Sequence, residues 1–128
     1  MAPAFRFPTV FSEFEGAAVT GPISRLLRRY IVALPEPTEA RVVDWMAGAS
    51  LLVRTQVLEE VGAFDEGFFL YFEETDLCLR ARRAGWLSVY LPQSRVMHIG
   101  SVSTGMKSWK RMPGYWFDSR LWYYTKNH

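Results

Sequence analysis

The feature that most constrains this chain is an abrupt change of pattern at residues 68–85. The aromatic run Phe68-Phe69-Leu70-Tyr71-Phe72 delivers the backbone straight to Glu73-Glu74-Thr75-Asp76. From Thr75 onward the pattern is helical. Leu77, Cys78, Ala81 and Ala84 fall on one face, Arg80, Arg82 and Arg83 mostly on the other, and Gly85 is placed to end the helix. The spacing therefore predicts a helix that opens on three carboxylates. The partial positive charge of its N-terminus favours their ionised form, while mutual repulsion pushes at least one pKa upward. Such a cluster suits a general base, and it is equally what charge complementarity at a helix start produces.

The surrounding segments can be read in the same way. Residues 1–20 scatter Phe5, Phe7, Phe11 and Phe14 among Pro and Gly, which suggests an extended arm on an apolar support. Gly21-Pro22 opens a basic amphipathic helix with Ile23, Leu26, Leu27, Tyr30 and Ile31 on one face and Arg25, Arg28 and Arg29 on the other. A proline-bearing loop at 35–40 leads to the run 42–54, whose end, 50–53, reads as a buried strand behind Gly48. Thr55 can cap a short helix that Gly62 terminates, with Leu58 and Val61 inward, and Asp65-Glu66-Gly67 is a turn. Residues 87–91 read as a strand closed by Pro92, and 95–99 as a further extended piece. Beyond a Gly/Ser/Thr loop at 100–105, the tail interleaves Trp109, Trp116 and Trp122 with Lys and Arg and reads as largely helical. This divides the chain into an arm and basic helix at 1–41, a core at 42–105 and a tail at 106–128.

Composition narrows the function classes. With 49% hydrophobic and 22% charged residues the chain is globular, and 128 residues suffice for one modest core. Fifteen basic against thirteen acidic residues leave +2 without a long single-sign block, so no nucleic-acid arm is present. The lone Cys78 excludes an intrachain disulfide and fits a cytoplasmic setting; on the inward helix face it reads as an inert buried thiol. The apolar run 45–53 is too short to span a bilayer, and the first residues lack a secretory signal's basic and apolar regions. No Walker or Gly-x-Gly-x-x-Gly sequence and no Asp-x-Asp occurs. His98 could ligate a divalent metal only with ligands from elsewhere, and as a lone histidine it reads equally as structural.

The ordered set VDWMAGASLLVR, VGAFDEGFFLYFEETDLCLRARRAGW, VYLPQSRVMHIGSVST and SRLWYYTKNH closely resembles bacterial family 2 glycosyltransferases of the rhamnosyltransferase type, over about residues 42–128. The resemblance implies an α/β fold, the C-terminal, acceptor-side part of a GT-A fold. The half that binds the nucleotide sugar and carries an Asp-x-Asp metal motif is not in this sequence. The family motif FEDxDL matches Phe72-Glu73-Glu74-Thr75-Asp76-Leu77, which carries the catalytic base onto Glu74. Here Glu replaces the usual Asp and reaches one methylene farther, leaving Glu74 and Asp76 as alternatives beside Glu73. His98 stands where relatives place a metal- or diphosphate-contacting histidine. Gly48-Ala49-Ser50 resembles the family's strand start near the acceptor, where Trp45 could stack on a sugar.

The implied reaction is inverting transfer from a nucleotide sugar to a carbohydrate or lipid-linked acceptor hydroxyl, with Mg or Mn in the complete enzyme and this chain inactive alone. The implied setting is the cytoplasm, at the inner face of the membrane. Two other readings stand beside it, a non-catalytic fragment and a membrane-surface or lipid-linked-acceptor binding module. A half-fold would also expose apolar surface and self-associate through it or through the Phe-rich arm.

Overall fold

The computed structural model describes residues 4–17, 22–97 and 110–128. Its architecture is mixed α/β. Strand β1 (Ala4–Phe5) is followed by helices α1 (Val10–Ala17) and α2 (Pro22–Leu27), then by β2 (Arg41–Val43), β3 (Trp45–Met46), α3 (Thr55–Val61), α4 (Glu73–Arg83), β4 (Ser88–Tyr90) and α5 (Gly114–Asn127). Two antiparallel pairs make up the strands. β1 lies against β3 with Phe5 opposite Trp45, and β2 lies against β4 with Val43 opposite Ser88.

The arm is not simply extended. Its first residues form β1, bridged on the other side to Ala33, but 10–17 coil into α1. The Thr9 and Ser12 side chains explain the switch: Thr9 Oγ1 accepts from the Ser12 N–H at 3.2 Å and Ser12 Oγ accepts from the Thr9 N–H at 2.8 Å, a reciprocal closure of the first turn. The basic helix is shorter than its periodicity predicts. It passes into a 3-10 turn at Arg28–Tyr30, and Leu26, expected inward, is 78% exposed.

The expected strand at 50–53 is also absent. β structure lies earlier, in β2 and β3, and Gly48–Ser50 form a 3-10 turn, with Leu52 outside the core. Residues 50–53 have no strand alongside them among the described residues, and β propensity without a ladder does not fix a strand.

The 3.6-residue pattern of α4 holds for Leu77, Cys78 and the half-buried Ala81, but Ala84, expected inward, is exposed. Leu77 and Cys78 are buried where α4 packs on β3, and Ala4, Val43, Val57, Phe68 and Tyr123 join them in the small core of the described residues. Burying Leu77 alone is worth roughly 1.5–3 kcal/mol. Gly62, at φ +81°, ends α3 as expected, and Gly85, at φ +93°, ends α4 with the Trp86 N–H reaching back to the Ala81 carbonyl at 2.9 Å. Arg80 does not sit outside. Its guanidinium donates to the carbonyls of Val61, Gly62 and Ala63 and so caps the C-terminus of α3.

Helix α5 closes the structure. Tyr123 is fully buried, Trp116 meets the Phe72 ring, and Trp122 Nε1 donates to Asp65 Oδ2 at 3.1 Å; Trp109 lies outside the described residues. A Cβ on Gly67 would lie 2.6 Å from that indole nitrogen, whereas one on Gly114 would meet nothing. Gly67→Ala is therefore expected to destabilise by about 1–3 kcal/mol. Gly114→Ala should be neutral or stabilise by roughly 0.4–1 kcal/mol. Urea unfolding followed by circular dichroism checks both.

Candidate functional site

The acidic cluster stands at the head of α4, and the backbone feeding it is unusual. Tyr71 and Phe72 both have φ +70°, the left-handed region that side chains rarely adopt. Each such residue costs of order 1–3 kcal/mol and persists only where its surroundings hold it. Here α5 does the holding. The Phe72 ring packs on Trp116 and Tyr123, with centroids 6.0 and 5.6 Å away, and Tyr71 stacks on Tyr115. The elbow turns the chain sharply out of the aromatic run, so Glu73, Glu74 and Asp76 occupy the first turn of α4.

The three carboxylates then part company. Asp76 is wholly buried and saturated: Oδ2 accepts from Arg80 Nε at 2.8 Å and Lys126 Nζ at 2.9 Å, and Oδ1 from Asn127 Nδ2 at 3.1 Å. Burial alone would raise its pKa, but these donors outweigh that and hold it below the usual carboxylate range. Glu74 instead turns toward the Gly48 turn, where Oε1 accepts from the Gly48 N–H at 3.3 Å. Its Oε2 is buried without a hydrogen-bond partner among the described residues, as is Oε2 of Glu73. Glu73 is the carboxyl whose pKa rises, first from burial and then from the neighbouring Glu74 charge.

The other anticipated residues are distributed as follows. Gly48, Ala49 and Ser50 form the 3-10 turn facing Glu74, and a Cβ on Gly48 would only touch the glutamate at 3.6 Å. Trp45, on β3, has one indole face stacked on Phe5 at 4.2 Å, and its N–H donates to the Arg6 carbonyl. Cys78 is buried between β3 and β4, and burial raises its thiol pKa, as befits an inert thiol. His98 lies outside the described residues.

As for a metal, Glu73 and Glu74 offer two hard oxygen atoms, but no group of three His, Cys, Asp or Glu among the described residues could hold an ion. These residues do not by themselves make a metal site. Sequence reasoning missed Lys126 and Asn127, which stand some fifty residues from the Asp76 they bind. Only the basic character of the tail hinted at them.

Acid should expose this division of labour. Asp76, and Asp65, held at about 2 by Lys126 and the Gly67 N–H, contribute stability that is complete above the unfolded carboxylate range near pH 4 and is lost as pH falls through their lowered values. Glu73 works oppositely, destabilising once pH rises above its unfolded range. Asp76→Asn is expected to cost roughly 3 kcal/mol at pH 7, because Arg80 and Lys126 lose their counter-charge, and progressively less as pH falls through the lowered Asp76 value. Glu73→Gln should stabilise at pH 7 and lose its advantage below about pH 4. Thermal melts from pH 2 to 7 check the signs.

A family model described as glycosyltransferase like family 2 matches residues 26–116. An N-acetylglucosaminyl-diphospho-decaprenol L-rhamnosyltransferase of Mycobacterium tuberculosis is 50% identical over 70 residues, 55% of this chain and 22% of that protein. Rhamnosyltransferase WbbL of Escherichia coli K12 is 46% identical over 57 residues, 44% of this chain and 22% of its own. A low-salt glycan biosynthesis hexosyltransferase, Agl10, of Haloferax volcanii is 42% identical over 41 residues, 32% of this chain and 13% of its own. The matched segment thus spans about a fifth of the first two relatives, and no solved structure matches. Since the family match covers well over half of its residues, the chain belongs to the family 2 glycosyltransferases.

Proposed function

We propose that this chain is the acceptor-side part of an inverting, GT-A type rhamnosyltransferase, with Glu74 as the general base. The observation that carries the reading is the state of the Glu74 side chain. One carboxylate oxygen is steadied by the Gly48 N–H, while the other is buried and lacks a hydrogen-bond partner among the described residues. Asp76, the alternative base, already accepts from three donors and has no comparable capacity. In this reading an acceptor hydroxyl donates to Oε2 of Glu74 and gives up its proton there as its oxygen attacks the anomeric carbon. The bond from that carbon to the diphosphate breaks in line, the electron pair leaves with the nucleotide, and the configuration inverts. Glu73, beside the base, has its pKa raised by burial and then by the neighbouring Glu74 charge.

The donor nucleotide would be held by a half of the enzyme outside this sequence. A divalent Mg or Mn ion, when bound there, would neutralise charge on the departing diphosphate, with His98 as this chain's candidate contact. The mycobacterial relative's name contains a diphospho-decaprenol acceptor, and a polyprenyl-linked acceptor is proposed for this chain as well. On that reading the reaction would take place at the cytoplasmic face of a membrane. Among the described residues no helix is long and apolar enough to cross one.

The test is transfer by an enzyme joining this segment to a donor-binding half. Glu74→Gln should lower turnover by roughly 10²–10⁴ with the fold intact, while Cys78→Ala stays near wild type. Wild-type turnover by Glu74→Gln would remove the assignment.

A further inference from the structure

Of the tail tryptophans, which the sequence offers as a membrane-facing element, the two among the described residues are engaged elsewhere. Trp116 packs on Phe72 and Trp122 is tied to Asp65. The exposed apolar surface lies instead on α1 and the neighbouring part of α5. At 100° per residue, Val10, Phe11 and Phe14 fall within a 100° arc of α1, and they are 51, 57 and 63% exposed. Val10 shares a groove with Phe117 and Leu121, one turn apart on α5, which are 51 and 68% exposed.

Positive charge borders this surface. Phe11 stacks on Tyr30, and the Arg29 guanidinium lies over the same Tyr30 ring. Arg25, Arg28 and Arg29 are exposed, and among the described residues they form no ion pair. Of the nearby acids, Glu13 lines the same groove but is neutralised by Arg120 and bonded by the Tyr124 hydroxyl, Glu15 stands on α1, and the exposed Asp118 follows Phe117 on α5.

We infer that this face, built by α1, the Arg25–Arg29 stretch and the outer side of α5, is the surface by which the chain lies on an anionic lipid bilayer. Large apolar side chains flanked on one side by exposed arginines are what an interfacial helix pair presents to headgroups and acyl boundary. Charge selects this occupant over a second copy of the chain. A two-fold pairing through the same face would bring the two unpaired arginine sets toward each other, whereas an anionic surface satisfies both. The inference deepens the membrane-face reading above by naming the residues that make contact.

Flotation of the full chain with phosphatidylcholine vesicles, with and without phosphatidylglycerol, tests it. Binding is expected only to the anionic vesicles and should weaken in high salt. Arg28→Ala with Arg29→Ala should lower affinity about 25-fold, since each basic residue near such a surface contributes roughly fivefold. Phe14→Ser with Leu121→Ser, both at exposed positions, should lower it about tenfold or more with an unchanged melting curve. Absence of binding to either vesicle overturns both the membrane-face reading and this surface. Anionic binding that both double variants retain overturns the surface alone. A concentration-dependent dimer in sedimentation, abolished by Phe14→Ser with Leu121→Ser, would put a second copy there and equally overturn it.

Discussion

A buried carboxylate is stable only where donors replace the water it has lost, and Asp76 collects three of them from two helices. Arg80, its partner one turn along α4, uses the rest of its guanidinium on the last carbonyls of α3. Lys126 also reaches Asp65 in the turn before the aromatic run. One ionised oxygen pair thus joins α3, α4, the 65–67 turn and α5. Few other contacts in so small a core are positioned to do this, because its apolar part is limited to a handful of side chains around Leu77 and Tyr123.

The same docking of α5 supports the chemistry proposed for Glu74. Two consecutive aromatic residues in the left-handed region would relax without a packed surface against them, and Trp116, Tyr123 and Tyr115 provide it. The elbow so held starts α4 where it does, which puts Glu74 opposite the Gly48 turn and Asp76 inside. Neighbouring carboxylates in one turn acquire different characters because their surroundings differ: Asp76 is saturated by cations, Glu73 is desolvated beside a like charge, and Glu74 is steadied through one oxygen.

Much of this was legible in the residues. The helical period and glycine stop of α4, the inward Cys78, the Asp65 turn, the glycine end of α3 and the β4 strand are local patterns, and local patterns survive folding when the core agrees with them. The family motif placed the acidic cluster. What failed was decided by distant partners. Among the described residues the run at 50–53 has the residues of a strand but no ladder, Leu26 has a helical spacing but stays largely exposed, and Arg80 was assigned to solvent because its carbonyl partners lie across a loop. The different surroundings of Glu74 and Asp76 were likewise closed to sequence, since they turn on Lys126 and Asn127, which no spacing rule connects to residue 76.

The claim on which the rest stands is that α5, through Lys126 and Asn127, fixes the start of α4. Amide hydrogen exchange of Lys126→Met against wild type measures this directly, because protection reports local opening element by element. If the account is right, amides in the first turn of α4 and those of α5 lose protection together. Loss confined to α5, with the amides of residues 74–78 unchanged, would show that the acidic turn holds its shape without the C-terminal helix and would contradict the account.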